Sequence, residues 1–281
     1  MKIRTILYIL AFLALSSCTE KIDLELNDGF IRLVVEAELT NEAKAHEVRL
    51  STTASYFSNE PVPMVSGASV LLSDGNDEIL LTEKSPGIYV TPNDFQGVPG
   101  RKYSLRIELK EAIANETIYT AESFLNTVTE SDSIWVEDHP DWGKGFYEVH
   151  WYAMEPPSTD FYMFRLFQNN VLLTDSLKEW SAFDDRFVNG NYLNGLGVVY
   201  LARELGYSIK PGDSLTLMAC GITKEFQIYL DFMRRQLNNQ NPLFGGPPTN
   251  VFGNISGGAL GYFAAYSTSY VSTVYSIRKA N

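Results

Sequence analysis

The chain has 281 residues, 45% hydrophobic and 20% charged, which is enough apolar material for one large or two ordinary cores and excludes a disordered chain. Its formal charge is −12, and Lys2 and Arg4 are the only charges in the first 17 residues, so the other 264 carry −14. A body that acidic is repelled by phosphate, which argues against nucleic acid and anionic bilayers as partners. Two cysteines, Cys18 and Cys220, are too few for a disulfide scaffold.

The chain opens with a basic pair, Lys2 and Arg4, followed by the uncharged run Ile6–Leu15. That run fits the apolar core of a signal peptide and is too short to span a bilayer. Leu15-Ser16-Ser17-Cys18 then looks like a lipobox. The pattern predicts a lipoprotein signal peptide over 1–17, cut before Cys18, whose thiol takes a diacylglyceryl group. Several acyl chains anchor far more firmly than one, because each buried methylene contributes about 0.8 kcal/mol. Residues 18–30 read as an acidic tether carrying Glu20, Asp23, Glu25 and Asp28.

From 31 to 127 the pattern predicts a β-sandwich. Ile31, Leu33, Val35, Ala37 and Leu39 alternate with polar residues, as do Tyr103, Leu105, Ile107 and Leu109, the mark of half-buried strands. Shorter strands are expected at 48–50, 68–72, 79–81, 88–91 and 118–124, with Asp74-Gly75, Pro86-Gly87 and Pro99-Gly100 as turns. The rhythm of these strands looks like the transthyretin or carboxypeptidase-regulatory sandwich, by analogy alone.

Residues 128–281 read as a second β domain, rich in aromatics and holding all four tryptophans. Strands are expected at 146–152, 161–167, 198–201, 215–219 and 270–277. One amphipathic helix is predicted over about 224–238. Thr223 caps it, and Phe226, Tyr229, Leu230, Met233 and Leu237 form a single apolar stripe. The stripe is read as core. The glycine- and proline-rich stretch after it, including Gly261-Tyr262-Phe263-Ala264-Ala265, predicts a fixed irregular path. The fold class is therefore mainly β: two β-sandwich-like domains, the second with one helix.

No catalytic motif is present. The three histidines His46, His139 and His150 show no metal-ligand spacing, and His150 reads as a sheet residue. No glycine-rich phosphate loop or nucleophile elbow occurs, so no catalytic residue, cofactor or metal is expected. Asp184-Asp185 followed by Asn189-Gly190-Asn191 leaves calcium binding by loop oxygens open. Cys220, in an apolar run, is expected to be buried and inert. The Trp and Tyr of this half read first as core; Trp142, Trp151, Trp180 and Tyr192 are the candidate contacts for a ligand or partner.

Several segments together resemble a known family. They are Leu33-Val34-Val35-Glu36-Ala37, Val65-Ser66-Gly67-Ala68-Ser69-Val70, Pro86-Gly87-Ile88-Tyr89, Gly100-Arg101-Lys102-Tyr103, Pro247-Pro248-Thr249-Asn250-Val251, Gly253-Asn254-Ile255 and Leu260-Gly261-Tyr262-Phe263. The chain resembles the Bacteroidota outer-membrane lipoproteins grouped as domain of unknown function 4249. The resemblance implies a lipid-anchored protein of the outer membrane, on the cell surface with the periplasmic face left open, often found with TonB-dependent receptors. The expected function is a non-enzymatic accessory of nutrient uptake, with a glycan or peptide as ligand. A surface glycan hydrolase and a structural or adhesive module are the alternatives.

Overall fold

A computed structural model describes residues 31–54, 60–140, 142–177, 179–238 and 250–276. The signal peptide, Cys18, the tether and residues 241–249 of the glycine- and proline-rich stretch lie outside the described residues. The chain is mainly β, with 52% strand and 7% helix.

The first half holds β1 (Leu33–Thr40), β2 (Glu47–Thr52), β3 (Ser69–Ser73), β4 (Glu78–Leu80), β5 (Thr82–Ser85), β6 (Ile88–Val90), β7 (Lys102–Ile113) and β8 (Glu116–Phe124). Strands β3, β4, β7 and β8 make a four-stranded sheet ordered β4-β3-β7-β8. Alternation decides which side chains go inside. Leu33, Val35, Ala37 and Leu39 of β1 meet Tyr103, Leu105, Ile107 and Leu109 of β7 in one buried core, as period-2 patterning requires. At the β3–β4 turn Gly75 takes φ +89°, and Asp74 Oδ1 accepts from the Asn76 and Asp77 amides at 3.0 and 2.9 Å.

The second half holds β9 (Ser131–His139), β10 (Phe146–Met154), β11 (Phe161–Gln168), β12 (Val171–Leu172), β13 (Ser181–Asp184), β14 (Tyr192–Ala202), β15 (Ser214–Gly221), the helix α1 (Lys224–Asn238) and β16 (Leu260–Val274). Strands β14-β10-β9 form a three-stranded sheet. Its inner face, Tyr147, Val149, Trp151 and Ala153, packs on Tyr162, Phe164 and Leu166 of β11 and on Leu215 and Leu217 of β15. The helix starts as expected, with the Phe226 amide donating to Thr223 Oγ1 at 3.2 Å. Phe226, Tyr229 and Leu230 of its stripe pack on Met163, Met218, Cys220, Tyr262 and Ala264 of the sheet.

One nine-stranded sheet, ordered β12-β11-β15-β16-β1-β2-β6-β5 with β13 beside β11, runs through both halves. The expected boundary at 127/128 falls between the two cores along most of the chain, but β16 serves both. Its first part, Leu260–Tyr266, pairs in parallel with β1, and its second, Ser267–Val274, pairs antiparallel with β15. Phe263 and Ala265 enter the first core, while Val271 packs against the second. The described residues accordingly form one compact unit.

The irregular path expected for 261–265 is therefore corrected: it is strand. Gly261 permits it, with φ +91° and an absent Cβ that would sit 1.9 Å from the Val35 carbonyl oxygen. The preceding segment is pinned by Asn254. Its side chain donates to the Glu122 and Phe263 carbonyls at 2.8 Å each and accepts from the Phe263 amide at 2.9 Å. Strands β5, β9, β12 and β13 were not expected. In β9 only Ile134 and Val136 are buried, too short an apolar signal to stand out.

Candidate functional site

A groove of about 540 Å³ lies on the helix side of the long sheet. Its floor is made by Glu36, Glu38 and Thr40, the residues of β1 that alternate away from the first core, together with Tyr262 and Ala264 of β16. One wall is aromatic. Tyr262 stacks at 4.8 Å on both Phe226 and Tyr229 of α1, and Trp180 closes the end. The other wall is charged, with Lys44, Glu47 and Arg49. Arg49 Nε lies 3.4 Å from Glu36 Oε2. Glu38 accepts the Tyr266 hydroxyl at 2.9 Å, and burial holds that hydroxyl well above its ordinary pKa.

His46 also borders the groove but is buried and occupied. Its Nε2 faces the Glu42 and Phe95 carbonyls at 3.1 and 3.2 Å, and the Thr40 amide donates to Nδ1 at 3.4 Å. Burial lowers its pKa. A neutral ring whose two nitrogens are already bonded holds the β1–β2 connection and is poorly placed as a base.

The four aromatic residues singled out from sequence do not share a site. Trp180 lines the groove, with the Arg165 guanidinium 4.6 Å over its ring. Trp151 is fully buried in the second core and donates to Ser131 Oγ at 2.9 Å, so it is unavailable to a ligand. Trp142 is exposed beside His139, ring centroids 5.8 Å apart. Tyr192 is exposed at the start of β14. Cys220 is a free, buried thiol whose pKa burial pushes up.

Two further clusters gather metal-ligating groups. Asp185, one of the two aspartates noted from sequence, meets Glu155 and Asp160. Its neighbour Asp184 is instead tied to Arg186 through Nε at 2.6 Å, and the Asn191 side chain bonds within its own loop. Burial pushes the Glu155 carboxyl up to about 7, against a Tyr162 hydrogen bond that lowers it. The second cluster is Glu137, His139 and His150, with Glu148 facing both imidazoles. Linear spacing missed it. The available signal was a repeated Glu-x-His, Glu137-Asp138-His139 and Glu148-Val149-His150. Alternation on paired strands puts all four on one face, and Glu137 is the cross-strand partner of Glu148.

No helix among the described residues is long and apolar enough to cross a membrane. No curated protein matches the chain. A solved structure titled "Cytokine receptor complex - Crystal form 1A" aligns over 67% of this chain and 82% of its own, at 10% identity and a TM-score of 0.23, a likeness too slight to bear on fold or function. The family model described as "Domain of unknown function (DUF4249)" matches residues 19–270. That match spans nearly the whole chain beyond the predicted signal peptide, and the chain belongs to this family.

Proposed function

We propose that the protein is a non-enzymatic, lipid-anchored accessory of a TonB-dependent outer-membrane receptor, held on the cell surface through Cys18, and that its groove takes a peptide segment. The anchor rests on the signal-peptide pattern ending at Cys18. The groove carries the binding half of the reading. An aromatic wall of Phe226, Tyr229 and Tyr262 faces a charged wall of Lys44, Glu47 and Arg49, which suits an amphipathic segment with one apolar and one acidic or basic edge. A sugar ring needs an open aromatic face. Trp180 is only 9% exposed with Arg165 over it, and Tyr262 and Phe226 are 9% and 5% exposed, so the wall offers little open ring face, which favours peptide over glycan.

The test is extraction of the full-length protein from its own membranes in mild detergent. A receptor barrel should copurify with wild type and be lost with Lys44→Glu/Arg49→Glu, two half-exposed groove residues. Cys18→Ala should move the protein out of the membrane fraction. Wild type extracting only as monomer removes the receptor role, and Cys18→Ala remaining with membranes removes the lipid anchor.

A further inference from the structure

Three carboxylates converge where β10, β11 and β13 meet at one end of the second sandwich. Glu155 follows the last residue of β10, Asp160 precedes the first of β11, and Asp185 follows the last of β13. One oxygen from each lies within 4.8 Å of the others. Asp185 is 0% exposed and Glu155 2%. Neither carboxylate oxygen of Asp185 has a hydrogen-bond partner, nor does Glu155 Oε2. Burying one unpaired carboxylate costs several kcal/mol. Here they are clustered, and no Lys, Arg or His forms an ion pair with any of them among the described residues.

The surrounding loops hold this arrangement in place. The Asp185 amide donates to the Asp160 carbonyl at 3.2 Å, Glu155 to Asn191 at 3.0 Å, and Gly190 to Pro156 at 3.1 Å. The Val188 and Asn189 amides both donate to the Asp185 carbonyl, at 2.7 and 2.8 Å. The remaining carboxylate capacity is partly used: Glu155 Oε1 accepts from Tyr162 at 2.7 Å and Asp160 Oδ2 from Ser158 at 2.6 Å. Asp160 opens onto a surface pocket of about 370 Å³ that also carries Glu130 and Asp132, an electronegative way in for a cation.

We propose that Glu155, Asp160 and Asp185 bind one calcium ion. The donors are all hard oxygens, which selects against soft transition metals. They come from two irregular loops, 155–160 and the one that follows β13, and Asp185 is sealed from solvent. Magnesium keeps several of its waters and demands an octahedron, whereas calcium accepts six to eight oxygens in irregular geometry.

The experiment is isothermal titration of CaCl2 into full-length protein in detergent, first stripped with a chelator. One saturable equivalent is expected, weakened at least about tenfold by Asp185→Asn or Asp160→Asn and unchanged by Asp184→Asn. Thermal unfolding guards against a variant that fails to fold. Calcium should raise the wild-type midpoint and leave Asp185→Asn where it is, and the isosteric amide should itself be folded without calcium. No saturable binding, or Asp185→Asn binding like wild type, overturns the site; the cluster is then held by protons.

A separate observation carries a second site. His139 Nε2 lies 3.1 Å from Glu148 Oε2 and 3.8 Å from Glu137 Oε2, and His150 Nε2 lies 3.2 Å from Glu137 Oε2 and 3.8 Å from Glu148 Oε2. These lengths bracket the edge, about 3.3 Å, of a tetrahedron with zinc-like bonds of about 2.0–2.1 Å. His150 Nδ1 faces the Gly195 carbonyl at 3.1 Å. That bond puts the proton on Nδ1 and aims the Nε2 lone pair into the cluster, where Nε2 is buried without a hydrogen-bond partner. We infer that Glu137, His139 and His150 hold a divalent metal of the zinc class, with the Glu148 carboxylate beside both imidazoles. ZnCl2 titrated into untagged full-length protein should bind one equivalent, lost in His139→Ala/His150→Ala, while His139→Ala/His150→Ala keeps its calcium response. The double variant binding zinc like wild type, or wild type binding none, overturns it.

Discussion

The two halves of the molecule treat buried polar groups differently. Among the described residues of the first sandwich no fully buried side-chain nitrogen or oxygen lacks a hydrogen-bond partner. His46 bonds Thr40, Glu42 and Phe95, Tyr89 bonds Ala68 and Val65, and the Ser123 hydroxyl accepts from Ala265. In the second, buried polar atoms are left without partners: His150 Nε2, Glu155 Oε2, Arg165 Nε, Trp180 Nε1, both oxygens of Asp185 and Arg203 Nε. Among the described residues all such atoms lie between His150 and Arg203. Native proteins satisfy nearly all buried polar groups, so a concentration of exceptions marks a place that something else completes. The first half gives the groove its charged residues Lys44, Glu47 and Arg49. The second half, with both candidate metal clusters, is where metal ions are expected.

The comparison breaks most completely at the joint. Gly261→Ala would put a Cβ 1.9 Å from the Val35 carbonyl oxygen at φ +91° and uncouple β16 from β1. It should cost more than about 4 kcal/mol, read as loss of soluble protein or of a cooperative urea transition. A wild-type-like transition would show that the β1–β16 pairing is not needed.

Next in size are the cores themselves. Trp151→Ala in the second should cost about 3–5 kcal/mol and Leu105→Ala in the first about 2–5 kcal/mol, since both side chains are fully buried. Similar drops in urea midpoint would place the contrast in polar groups alone. A silent Trp151→Ala would mean that its ring is available to a ligand after all.

A smaller effect should separate the halves by pH. Burial lowers the pKa of His46 below the ordinary 6.5, so its neutral form belongs to the fold. Stability from this group is present above about pH 6.5 and is lost as pH falls through the lowered folded value. The urea midpoint should fall between pH 7.5 and 5, and His46→Gln should flatten that slope. An unchanged slope would assign it to groups elsewhere.

Much of this was legible in sequence, for physical reasons. Strand β1, strand β7 and helix α1 announce themselves because one face is uniformly buried. The same alternation in Tyr147, Val149, Trp151 and Ala153 places Trp151 inside, in line with reading these aromatics first as core and against its place among the contact candidates. Strand β9 went unread because its outer face carries Glu137 and His139, side chains that the cluster needs and that dilute the apolar pattern. Once β9 is a strand, the two Glu-x-His repeats become neighbours. The carboxylate cluster was half legible. Asp185 stood out beside Asp184, but Glu155 and Asp160 lie about thirty residues earlier, and only the pairing of β11 with β13 brings them together.

Hydrogen exchange of the full-length protein, with calcium against chelator, tests the contrast between the halves most directly. Calcium should slow exchange in the loops around 155–160 and 185–191 and leave β1 to β8 unchanged. Protection that is absent from those loops, or spread equally over the first sandwich, would contradict the account.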